Sequence, residues 1–86
     1  MTQPITWKEF REDACLEASR ILERVVDESE LITPSQATAY LESTGAYTMP
    51  GLMACDYVVR DDCVLCCLSW DEYCGGWIGW IVDVAQ

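Results

Sequence analysis

Three runs rich in β-branched, aromatic and cysteine residues close this sequence: Leu52 to Arg60, Cys63 to Ser69 and Trp77 to Ala85. Runs of this texture, bounded by polar and glycine punctuation, predict strands. Asp61-Asp62 between the first two predicts a tight hairpin. Side chains alternate across a strand, so Met53, Cys55, Tyr57 and Val59 share one face, with Asp56 and Arg60 on the other. In the last run Ile78, Trp80, Val82 and Val84 face away from Trp77, Gly79, Ile81 and Asp83. The middle run is apolar on both faces, as expected at the centre of a three-stranded antiparallel meander.

The residues before Pro50-Gly51, which marks a turn, read differently. Thr6-Trp7-Lys8-Glu9 fits a capping box, in which hydroxyl and carboxylate satisfy orphan backbone donors at a helix start. Trp7, Phe10, Ala14, Ala18, Ile21, Leu22 and Val25 then recur at helical spacing, predicting a helix from Trp7 to Val26. Thr33-Pro34-Ser35-Gln36 starts a second, shorter helix, Pro34 to Ser43, which Gly45 can end in the left-handed conformation. Ser69-Trp70-Asp71-Glu72 resembles a third box and predicts a single helical turn before Gly75-Gly76; a rival reading makes Trp70 to Val84 helical. Eighty-six residues make one domain, 1–86. The expected fold is α+β, order ααβββ, with both helices packed on one face of the meander.

Charge limits what such a chain can bind. Lys and Arg total 5 against 15 Asp and Glu, a formal charge of −10. Residues 1–24 are nearly balanced, whereas residues 25–86 set one cation, Arg60, against ten acids. That field repels nucleic acid and anionic lipid and attracts basic surfaces. Direct nucleic-acid binding and a membrane role are therefore not expected. The most apolar stretch, Trp77 to Ala85, is too short to span a bilayer and contains Asp83.

Met1-Thr2-Gln3-Pro4 does not read as a secretory signal, and the cysteines sit inside apolar runs, so mostly free, buried thiols in a reducing cytoplasm are expected. Cys63-Val64-Leu65-Cys66 spells C-x-x-C, and a thiolate zinc site would need a set such as Cys55, Cys63, Cys66 and Cys74. Zinc motifs place that spacing on a turn, where both sulfurs converge; in a strand they diverge, and adjacent Cys66 and Cys67 point to opposite faces. There is no histidine, which excludes Ser–His and Cys–His nucleophile pairs. Asp61-Asp62 and Asp71-Glu72 are adjacent acids in turns, a setting that solvates carboxylates rather than raising their pKa. No catalytic residue, metal ligand or cofactor is assigned, and no enzymatic activity is expected.

Aromatic residues and acids carry the remaining signal. Trp70, Tyr73, Trp77 and Trp80 lie close together, interleaved with Asp71, Glu72 and glycines. Exposed aromatics beside acids make an anchor for a basic protein surface. Asp56, Asp61, Asp62, Asp71 and Glu72 would meet Lys and Arg of a partner, with Trp70 and Tyr73 as apolar anchors. In size, charge and missing chemistry the chain resembles the small acidic inhibitors that phages and mobile elements encode, anti-CRISPR proteins and DNA mimics among them. The resemblance covers no motif. It implies a non-catalytic inhibitor of a basic, nucleic-acid-binding host protein, acting in the host cytoplasm. The alternatives are an immunity or antidote protein for a basic toxin, a dimerising adaptor using its apolar sheet, and a small cysteine-ligated zinc protein.

Overall fold

The computed structural model describes residues 6–45, 47–48 and 55–85; Pro50-Gly51 and the start of the first expected strand, Leu52 to Ala54, lie outside them. Helix α1 spans Trp7–Leu22 and starts where the Thr6 hydroxyl accepts from the Glu9 amide at 3.1 Å. Ala14, Cys15 and Ala18 are its buried residues. The helix ends four residues before the expected Val26. Glu23 adopts a left-handed conformation (φ 56°) and donates its amide to the Ser19 carbonyl. The Ser19 hydroxyl donates to the Cys15 carbonyl at 2.7 Å and accepts from the Val26 amide at 3.0 Å, which turns the chain away from the helix axis. Two residues of the expected apolar face are consequently in solvent: Trp7 is 74% and Val25 88% exposed.

Asp27 caps a 3-10 turn, Glu28–Glu30, while the Glu30 carboxylate reaches back to the Asp27 amide at 2.9 Å. Helix α2, Pro34–Thr44, carries the expected box: the Thr33 hydroxyl accepts from Gln36 at 3.1 Å and the Gln36 side chain accepts from Thr33 at 2.8 Å. Gly45, at φ 76°, closes it.

The strands are β1 (Tyr47–Thr48), β2 (Tyr57–Asp61), β3 (Val64–Asp71) and β4 (Gly76–Ala85). The fold is α+β, two helices followed by the antiparallel meander β2-β3-β4. The two-residue β1 adds to the outer edge of β4, giving the order β1-β4-β3-β2. Asp61 pairs with Val64, so Asp62 and Cys63 make the hairpin turn, with Asp62 at φ 49°. Ser69, Trp70 and Asp71 extend β3 rather than starting a helical turn, and Trp70 pairs with Trp77; the helical reading of Trp70 to Val84 is overturned with it. The ladder supplies their backbone groups with partners, so cross-strand pairing overrides the local box.

The helices do not share a face. Directly paired residues of neighbouring strands lie on the same side of a sheet. Val59 and Cys66 are paired, and with Leu68 they pack against Ala14, Cys15 and Ala18 of α1. Val58 and Cys67 are paired one residue away, and with Leu65 and Val82 they pack against Ala37 and Leu41 of α2. Helix α1 thus covers one face and α2 the other, which corrects the expectation of both on one side. The cause is the middle strand. Leu65, Cys66, Cys67 and Leu68 are all buried, and consecutive apolar residues require cover on both sides.

A candidate acidic docking surface

The connection from β3 to β4 is organised by Asp71. Its carboxylate accepts from the Tyr73 amide at 2.8 Å and from the Cys74 thiol at 3.2 Å, and its carbonyl accepts from the Gly75 amide at 2.9 Å. The Cys74 thiol first, then the Tyr73 amide, holds the Asp71 carboxyl below the usual aspartate range; the same contact raises the Cys74 thiol. Glu72 is exposed and Tyr73 is wholly in solvent at the tip. Asp56 joins this end from the start of β2. Its amide donates to the Leu68 carbonyl at 2.8 Å, and its carboxylate accepts from the Trp70 amide, also at 2.8 Å.

Asp56, Trp70, Asp71, Glu72 and Tyr73 are therefore gathered at one end of the sheet. Below the turn, on the α2 side, an open groove of about 380 Å³ is floored by Ile78 and Trp80 and rimmed by Asp71, Glu72 and Tyr73. No cation lines it. The Trp70 ring turns to the other face, against Phe10 (centroids 5.0 Å apart) and edge-on to Trp77 (5.7 Å). Trp70 is a structural member of this aromatic group more than a free anchor, whereas Tyr73 keeps its whole ring available.

Asp61 and Asp62 lie at the opposite end. The eight residues of β3 separate the two turns, roughly 20–25 Å at strand rise. Asp61 is also engaged internally: it accepts from Arg24 Nε at 3.0 Å, while Arg24 meets Glu30 at 2.9 Å. These bonds, Glu30 foremost, hold the Arg24 guanidinium above its ordinary range, and Arg24 in turn holds the Glu30 carboxyl below its own. The seven residues singled out in the sequence thus form two groups. Sequence reasoning missed Ile78 and Trp80 as the groove floor, although their alternation put them on one shared face.

The cations are all occupied. Lys8 pairs with Glu12 at 3.9 Å, Arg20 with Glu17, and Arg24 with Glu30 and Asp61. The Arg11 guanidinium donates to the Glu28 carbonyl at 3.4 Å, and Arg60 stacks 3.8 Å over the Tyr40 ring. The cysteines do not assemble the zinc set considered above: Cys63 and Cys74 occupy turns at opposite ends, and Cys66 is buried under α1. Among the described residues, no three His, Cys, Asp or Glu side chains form a metal-holding group, and no helix is long and apolar enough to cross a membrane.

No family model, curated protein or solved structure matches this chain.

Proposed function

We propose that this chain is a non-catalytic inhibitor that docks its acidic sheet end onto a positively charged, nucleic-acid-binding surface of a host protein. Asp56, Asp71 and Glu72 meet the partner's Lys and Arg, Tyr73 is the aromatic anchor, and the groove over Ile78 and Trp80 takes an apolar partner side chain. Such a protein would work in the host cytoplasm, as small acidic phage inhibitors do. The observation that carries the reading is a groove rimmed by two carboxylates, Asp71 and Glu72, and a fully exposed tyrosine, lined by no cation, with Asp56 at the same end of the sheet. Carboxylates so placed raise the encounter rate with a basic surface, and a buried aromatic then slows release.

The test begins with a partner recovered by pull-down from a candidate bacterial host, followed by competition against duplex DNA at several salt concentrations. The affinity is expected to fall as salt rises, with DNA and this chain excluding each other. Reversing Asp71 and Glu72 together to Lys should slow association about tenfold or more at low salt, while Asp62→Lys at the far end leaves the rate near parent. A partner with no nucleic-acid site, or an affinity indifferent to salt, overturns the reading.

One observation favours a second reading, a dimerising adaptor. Among the described residues, β4 has a strand on its outer edge only at Val84 and Ala85, and no charged residue precedes Asp83 on it. An uncharged free edge is a template for pairing. Light scattering that finds a stable dimer selects this reading, and a monomer removes it.

A further inference from the structure

Two cysteines from different parts of the chain meet on the α2 side of the sheet. Cys67, on the central strand, has no solvent exposure. Cys55, two residues before β2, is half-buried and packs against the same cluster of Ala37, Leu41, Val58, Leu65, Cys67 and Val82. The Cys55 and Cys67 side chains interact, and this contact, ahead of burial and of the Leu68 backbone, lowers the Cys55 thiol and raises the Cys67 thiol. The remaining cysteines are placed elsewhere. Cys66 lies on the opposite face, where burial pushes its thiol up to about 11; Cys15 is in α1; Cys63 and Cys74 sit in the two turns.

We propose that Cys55 and Cys67 are a redox-responsive pair that closes to an intramolecular disulfide when the chain meets a peroxide. The two partners have different roles. Cys55 is reachable from solvent, and its contact with Cys67, ahead of nearby backbone amides, favours the thiolate and holds it below the ordinary thiol range. Cys67 is shielded and holds its proton, so it cannot be the first to react. In the first step the Cys55 thiolate attacks hydrogen peroxide. An S–O bond forms, the O–O bond breaks, and hydroxide leaves and takes up a proton to become water. In the second, Cys67 gives up its proton and attacks the Cys55 sulfur; the S–S bond forms and the S–O bond breaks, releasing a second water. Two thiols lose two electrons and two protons to one peroxide. Both side chains pack in one cluster on the α2 side, so closing the bond to about 2.05 Å is a local movement of the chain before β2. The bond would pin the chain before β2 to the centre of the sheet, and it stands apart from the docking proposal.

The full chain, reduced and then treated with stoichiometric hydrogen peroxide, should lose the mass of two hydrogens and regain it with dithiothreitol. Digestion without reductant should yield one linked pair of peptides carrying Cys55 and Cys67. Cys66→Ser and Cys74→Ser should still close; Cys55→Ser and Cys67→Ser should not. Because Cys67 is buried, Cys55→Ser carries the test, with its fold checked by circular dichroism. A link through Cys63, Cys66 or Cys74, within or between chains, overturns the proposal. So do oxygen adducts on Cys55 without a link, closure that survives Cys55→Ser, and thiols that stay reduced.

Discussion

Gly79 sits on β4 opposite Leu68, under the last turns of α1, and a side chain there meets the helix directly. A Cβ added at Gly79 falls well inside contact distance of Ile21 Cδ1 and 3.1 Å from Leu68 Cδ2. Inserting a methyl into a packed interface costs about 1–3 kcal/mol. Replacing a strand glycine returns about 0.5–1 kcal/mol of backbone entropy. The Ile21 methyl is a chain end on a half-buried residue and can rotate aside, but Leu68 must give as well, which sets the clash near the middle of its range, about 2 kcal/mol. Gly79→Ala should therefore lose about 1 kcal/mol, or roughly 4–8 °C in Tm for a domain of this size. Ile21→Val alone removes the offending methyl at about 0.5–1.5 kcal/mol. The double variant should then match Ile21→Val within about 0.5 kcal/mol, a coupling of about 1 kcal/mol. Urea unfolding followed by tryptophan fluorescence reads this well, because Trp77 Nε1 donates to the Phe10 carbonyl of α1 at 3.1 Å. A Gly79→Ala protein as stable as the parent, or a double variant whose loss is the sum of the singles, refutes the close approach of α1 to β4.

Two other perturbations follow from local geometry. Glu23→Gly removes the side chain from a left-handed residue at the end of α1 and should stabilise the protein by about 1 kcal/mol in thermal or urea unfolding; destabilisation would show that the Glu23 side chain matters more than its backbone. Arg24→Gln releases Glu30, whose folded carboxyl lies below the ordinary glutamate value of 4.5. A depressed carboxyl contributes stability above its unfolded value and loses it as pH falls through the folded one. The parent's Tm advantage over Arg24→Gln should thus be widest near neutral pH and shrink below pH 4.5; a gap constant with pH removes Arg24 from that role.

The element order, the Thr33–Gln36 box, the Gly45 cap and the hairpin near Asp62 were all legible because each depends on residues within a few positions. What escaped depends on distant partners. The end of α1 is decided by Ser19, whose hydroxyl ties Cys15 to Val26 across seven residues. Ser69 to Asp71 carry a helix-start spacing, yet β4 lies alongside to pair with them. The opposite placement of the helices had a readable sign in the doubly apolar Leu65 to Leu68. For the site, side-chain types were legible but position was not: an eight-residue strand sends Asp61 and Asp71 to opposite ends, and the one cation that reaches back from α1's end neutralises Asp61.

A sheet clad on two sides has two thin shells in place of one thick one, and the shells are unequal. Beneath α2 the anchoring helix residues are Ala37 and Leu41, against Ala14, Cys15 and Ala18 beneath the longer α1. Amide protons of β3, shared by both shells, should exchange with deuterium only when the whole molecule opens. Those of α2 should exchange sooner, through peeling of the lighter layer while the other half stays shut.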